Sequence, residues 1–291
     1  MKMKSVYAQI NGIAYHVNIT GSGPLCLCLH GFPETRHSWR NQVALLSEKY
    51  TVAVPDMRGY GETESPEDRD AYKISVLIED IRGLVNTFGQ GRAVIVAHDW
   101  GGVVALHYSE TYPHTVEKLV ISNAPHLYDY ATLFLKTKNI FQILKSWYVF
   151  ANQIPQLNER LLSAHDFLLL EILVKLYAVK KDVFTPDVMA EWKKTLRTSG
   201  LKGGVDYYRA NLRAFRYILE DGSKGKKITC PVSVIWGETD RALEKDLAYA
   251  IANHVSGPFD IHFIKDSGHW VQQEQPVVYN SHLSRFLGIS Q

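Results

Sequence analysis

Residues 94–102 read VIVAHDWGG: a β-branched apolar run stops at Asp99, with the small residues Ala97, Gly101 and Gly102 close by. That composition suits a strand–turn–helix bend that lifts one nucleophilic side chain clear of the backbone. Serine is the usual residue at such a bend, and here a carboxylate stands in its place. With a reference pKa of about 4 it is already ionised at neutral pH and attacks without the help of a base. Attack on a saturated carbon makes an ester, whose carbonyl carbon water can then attack. A serine would leave an ether that water does not readily cleave. Aspartate is also a favoured helix N-cap, but the company Asp99 keeps favours the chemical reading.

That company lies where other strand-like runs end. HGFPE, with His30, Pro33 and Glu34, follows LCLCL; Asp240 lies just beyond VIWG; His269 lies in KDSGHW after FDIHFI. The carboxyl ends of strands are the edge at which open α/β sheets bind ligands. The chain order is nucleophile, acid, histidine. In that order His269 is the base that activates water, and Asp240 holds the imidazole's tautomer and stabilises its charged form. Asn123 closes another strand but is neutral and cannot replace the acid. His98, His126, His165 and His262 have no such support and receive no role. Glu34 either orients water or its loop, or is simply solvated, and the residue types leave these readings open.

The elements that must position these side chains follow from pattern. VYAQI and IAYHV flank Asn11-Gly12, a dipeptide that accepts positive φ at both centres of a tight turn, so the chain opens with a hairpin. The runs LCLCLHG, YTVAVPD, AVIVAHD, LVISNAP and PVSVIWG then alternate with helical stretches such as SVLIEDIRGLVNTFG. Nearly continuous apolar strands mean a sheet covered on both faces, which is a doubly wound, mostly parallel α/β sheet. From Leu127 to Tyr217 the strands give way to helical periodicity, as in FLKTKNIFQILKSWYVF and SAHDFLLLEILVKLYAV. The expected organisation is a core over residues 1–126 and 218–291 with a helical cap, 127–217, inserted between its halves. The polar run EDGSKGKKITCP returns the chain to the core.

Composition narrows the partners. The 291 residues carry a formal net charge of +2, so no electrostatic footprint for nucleic acid or an acidic membrane is present, and a small molecule is the expected partner. Cys26, Cys28 and Cys230 have no metal-ligand spacing and read as reduced core residues in a reducing, cytoplasmic setting. The N-terminal stretch lacks an apolar signal region, and FLLLEILVKLYAV is broken by Glu171 and Lys175, so no membrane span is expected. No cofactor or metal is implied.

Taken together, HGFPE, DMRGYGET, AHDWGG, WGETD and SGHW resemble the epoxide hydrolase branch of the α/β-hydrolase fold superfamily over essentially the whole chain. The resemblance implies the α/β-hydrolase fold and a cofactor-independent addition of water to an epoxide, giving a vicinal diol. It implies Asp99 as nucleophile, His269 and Asp240 as the water-activating pair, and the backbone N–H groups of Phe32 and Trp100 as oxyanion donors. In the cap, KSWYVFANQIP and GGVDYYRAN are similar to the segments bearing the family's two lid tyrosines, which implies Tyr148 and Tyr208, with Tyr207 the neighbour most easily confused with the second. His30, Pro33 and Trp100 are expected to join the two tyrosines in contacting substrate. The family pattern is departed from at Ala97, where glycine is common, and at Asn152, where an aromatic is.

A haloalkane or haloacid dehalogenase would use the same triad. Phe32 stands where haloalkane dehalogenases often carry asparagine, and Trp100 where fluoroacetate dehalogenases carry arginine. Both departures favour the epoxide. A fold that binds a small ligand without turnover is the alternative from another class, and the intact triad speaks against it. The physiological epoxide, the enantiopreference and the choice between monomer and homodimer are not written in these motifs.

Overall fold

The computed structural model describes residues 3–135, 140–212 and 226–290. Eight strands form one sheet in the order β1-β2-β4-β3-β5-β6-β7-β8: β1 (Lys4–Ile10), β2 (Ile13–Gly21), β3 (Leu25–Leu29), β4 (Thr51–Pro55), β5 (Ala93–His98), β6 (Val116–Ser122), β7 (Val232–Gly237) and β8 (Phe259–Ile264). The hairpin forms at its expected turn: Ile10 pairs with Ile13, and Asn11 and Gly12 take φ of 50° and 76°. β2 pairs antiparallel with β4, and every later pairing is parallel. This is the α/β-hydrolase fold.

The all-apolar strands are central because both their faces are covered. Every residue of β3, β5 and β7 is buried. On one side, the helix Ile74–Gly89 buries Leu77, Ile78, Ile81, Leu84 and Val85, the stripe a 3.6-residue period puts on one face. On the other, Cys26 and Cys28 point into the same apolar cluster as Tyr279 and Leu283 of the helix Pro276–Leu287. The three thiols are buried and unpaired.

Between β6 and β7 the described residues contain no strand. Helices run over Leu127–Leu135, Ile140–Lys145, Trp147–Ala151, Leu157–Tyr177, Pro186–Ser199 and Lys202–Leu212. The one over Pro186–Ser199 starts where Thr185 accepts a hydrogen bond from the Val188 N–H, with proline at its first position. It buries Met189, Trp192 and Leu196, spaced for one face. The helix Leu157–Tyr177 is interrupted at residues 164–167, where His165, Asp166 and Phe167 take positive φ. The expected cap boundary at Tyr217 and the first half of the polar run after it lie outside the described residues, as do residues 136–139 of the first helical stretch. Among the described residues no helix is long and apolar enough to cross a membrane.

Candidate active site

β5 ends at His98, and the helix Asp99–Thr111 begins at the very next residue. The bend is sharp enough to force Asp99 to φ of 50°, a left-handed conformation that a non-glycine residue adopts at a cost. It also brings this helix against the loop after β3. A Cβ on Gly101 would sit 2.5 Å from Leu29 O, and one on Gly31 only 2.2 Å from Asp99 Oδ1. These two glycines are the condition for the approach.

The two oxygens of Asp99 have different surroundings. Oδ1 accepts a 2.8 Å hydrogen bond from the Phe32 N–H, and Oδ2 lies 3.5 Å from His269 Nε2. On its other side the imidazole places Nδ1 2.9 Å from Asp240 Oδ2. Asp240 is firmly anchored: it accepts from Asn123 Nδ2 at 2.6 Å and from the N–H groups of Ala242 and Leu243 at 2.6 and 3.1 Å. Burial alone would raise the Asp240 carboxyl, but the charge and hydrogen bond of His269 and the Asn123 amide hold it below the usual carboxylate range. Burial would likewise lower His269, and the Asp240 and Asp99 carboxylates override it, raising the imidazole well above its ordinary value. The two carboxylates therefore favour the protonated ring.

A cavity of about 290 Å³ opens in front of Asp99. Phe32, Pro33, His269 and Trp270 line its floor, and Leu161, Leu162, Leu169, Leu170, Leu173 and Val174 form an aliphatic wall. Tyr148 and Tyr208 both face it. Their rings meet edge to face at 5.9 Å, and Tyr208 stands edge-on to Trp100 at 5.1 Å. Burial raises both phenols well above their ordinary value, and neighbouring phenols and the Asp99 charge add to it, so each keeps its proton. Tyr207 turns the other way, donating from its hydroxyl to Arg58 O at 3.1 Å.

One expected contact has a different place. His30 is buried and is not among the cavity-lining residues. Its Nδ1 bonds Gly31 O at 3.0 Å, and its Nε2 accepts from the Met57 N–H at 3.1 Å. Both nitrogens are spent on the backbone, and burial lowers the ring's pKa, so the neutral imidazole joins two loops rather than meeting a substrate. Trp100 lines a smaller recess beside Asp99 together with Tyr148 and Tyr208.

Residue types alone left Glu34 open and gave His98 no role, yet the two form one device. Glu34 is buried and lies 2.5 Å from His98 Nδ1, while it accepts from Gln272 and Gln273 at 3.0 and 2.7 Å. His98 Nε2 in turn bonds the backbone carbonyl of His269 at 2.8 Å. The strand that leads to Asp99 thus grips the loop bearing His269. Asn123, too neutral to serve as the acid, orients Asp240 and accepts the Gly237 N–H at 2.9 Å. Its place at the carboxyl end of β6 was the available signal.

The pattern of the alpha/beta hydrolase fold family matches residues 24–276. Epoxide hydrolase 3 of Mus musculus is 35% identical over 92% of this chain and 71% of its own length. Epoxide hydrolase 4 of Homo sapiens is 32% identical over 95% of this chain and 76% of its own. The AB hydrolase superfamily protein YfhM of Bacillus subtilis is 34% identical over 98% of both. A crystal structure of Bacillus megaterium epoxide hydrolase in complex with an inhibitor superposes with a TM-score of 0.89 at 28% identity, covering 97% of this chain and 100% of that one. The chain belongs to the α/β-hydrolase fold family and, within it, to the epoxide hydrolases.

Proposed function

We propose that this chain adds water to a small hydrophobic epoxide through an ester on Asp99. Asp99 Oδ2 attacks a ring carbon, the carbon–oxygen bond breaks, and the electron pair goes to the ring oxygen. Tyr148 and Tyr208 hydrogen-bond that oxygen, and one of them gives it a proton. Forming the ester removes the Asp99 charge, so His269 surrenders its proton and neutralises the phenolate. The neutral imidazole then takes a proton from a water whose oxygen attacks the Asp99 carbonyl carbon. Negative charge develops on Oδ1, where the Phe32 N–H already points and where the Trp100 N–H is expected to converge. One such donor is worth roughly 3–4 kcal/mol where it has been measured. Collapse releases the diol and restores both Asp99⁻ and cationic His269.

The observation that carries this reading is the division of Asp99 between the Phe32 N–H on Oδ1 and His269 beside Oδ2. Support also comes from the two proton-bearing phenols in the same cavity, a feature that suits a departing oxygen better than a departing halide. Residues 127–217 act as the cap that supplies those phenols. The buried, unpaired thiols support a reducing, cytoplasmic setting. The test is intact mass of a His269→Gln variant after incubation with epoxides and, separately, haloalkanes. An epoxide-derived adduct on Asp99 is expected. Labelling by haloalkanes alone would overturn the assignment.

A further inference from the structure

Apart from its phenols, the cap side of the cavity carries polar side chains at one place. The Trp147 indole N–H is spent on the Tyr177 hydroxyl at 2.7 Å, and the long wall is aliphatic. Asn152 and Asn158 remain. Two amides beside an aliphatic chamber need a reason, because an amide kept from water without a partner costs stability.

Asn152 is 2% exposed, and most of its polar atoms are satisfied by the protein. Its backbone N–H bonds Tyr148 O at 2.9 Å, its carbonyl accepts from Arg209 Nε at 2.6 Å, and its Oδ1 accepts from Asn158 Nδ2. Its Nδ2 has no hydrogen-bond partner among the described residues, and the side chain faces the cavity.

That spare N–H is also held in place. Tyr148 lies one helical turn before Asn152. Arg209, which directly follows Tyr208, grips the Asn152 carbonyl while bonding Ile154 O at 2.9 Å and Glu159 Oε2 at 3.0 Å. Both phenol-bearing segments therefore fix where the donor stands. Residues four apart on a helix have Cβ atoms about 5–6 Å apart, so the donor is offset from Tyr148 by about that distance along the wall.

We propose, resting on the epoxide hydrolase reading above, that Asn152 selects epoxides whose tail carries a carbonyl oxygen about four or five bonds from the ring oxygen. In a bent chain, that many bonds of about 1.5 Å span roughly 5–6 Å. A tail carbonyl takes the Nδ2 hydrogen bond, whereas an all-carbon tail strips Nδ2 of water and leaves it unpaired. Selectivity comes from that difference. The aliphatic wall holds the remainder of the tail.

Glycidyl butyrate and 1,2-epoxyoctane have main chains of equal length and differ in the ester group, whose carbonyl oxygen falls at the required spacing. Diol formation from each gives a ratio of kcat/KM. Dividing a variant's ratio by that of the wild-type chain cancels the unequal reactivity of the two rings. Asn152→Leu should lower the preference for glycidyl butyrate about tenfold, which is what one lost hydrogen bond costs. Asn152→Asp keeps the volume and the bond from Asn158 but puts an acceptor where the donor was. It should lower the preference too, and it decides the matter should Asn152→Leu fail to fold. Diol from both substrates, with a preference that neither variant changes, would overturn this proposal alone. Diol from neither substrate with the wild-type chain would overturn the hydrolase reading and this proposal with it.

Discussion

Phe32 donates its backbone N–H to Asp99 Oδ1 at 2.8 Å, which makes the two oxygens of that carboxylate inequivalent before any substrate arrives. The bonded oxygen is held as an acceptor. In the proposed mechanism the other one attacks, and the donor sits where charge would collect when water adds to the ester. On that proposal the same contact would orient the nucleophile in one step and stabilise an oxyanion in the next.

This inequivalence is open to an isotope experiment. In a single turnover in ¹⁸O water, the water oxygen should enter the Asp99 carboxylate and the diol should leave with an unlabelled oxygen taken from the enzyme. Peptide mass should therefore show one ¹⁸O at Asp99, and label should reach the diol only in later turnovers. First-turnover label in the diol would mean that water attacks the epoxide directly.

The neighbouring tyrosines separate chemistry from support. Tyr208→Phe or Tyr148→Phe removes one donor to the departing oxygen and should slow ring opening about 10²- to 10³-fold, the range for losing one such donor. Tyr207→Phe removes only a hydrogen bond to Arg58 O and should leave ring opening unchanged while costing about 1 kcal/mol of stability. Rapid-mix kinetics and urea melts measure the two quantities.

Residues at the ends of strands were readable because the strands themselves were: a run such as LCLCL or VIVAH needs two covered faces, and the residues just after it must lie at the sheet's carboxyl edge. The hairpin at Asn11-Gly12 was readable from local backbone preference. His30 was misplaced because adjacency to a motif does not say which way a side chain turns; this one turns toward Met57. Glu34 and His98 meet across 64 positions, so the pair leaves no local pattern. Such pairings become visible only when the sheet order is known.

Resting His269 is raised by two carboxylates, with Asp240 the stronger, against the lowering effect of burial. Asp99→Asn removes one of them, so NMR titration should find the imidazole pKa lower in that variant than in the wild-type protein. Hydrolysis of the ester should likewise follow a pKa below that of the free enzyme, because esterification removes the same charge. Since folding raises this pKa, the stabilisation is complete below the ordinary histidine value and is lost as pH rises through the folded-state value. An unchanged pKa in Asp99→Asn would mean that Asp99 exerts no effect on the ring.

Glu34 provides the opposite sign. Burial would raise its carboxyl, but the His98 ring and its hydrogen bond pull it down to about 2. A carboxylate depressed by folding stabilises the protein above its unfolded pKa, and that stability disappears as pH falls from about 4.5 toward 2. The shift corresponds to about 3 kcal/mol at neutral pH. Glu34→Gln should therefore lose roughly that much at pH 7 and progressively less in acid, so the wild-type and variant urea midpoints should converge as pH approaches 2. Because His98 also bonds the His269 backbone, the variant should lose ester hydrolysis rate even where it is fully folded. Parallel midpoints across the whole range would show that Glu34 fills space and carries no charge-dependent load.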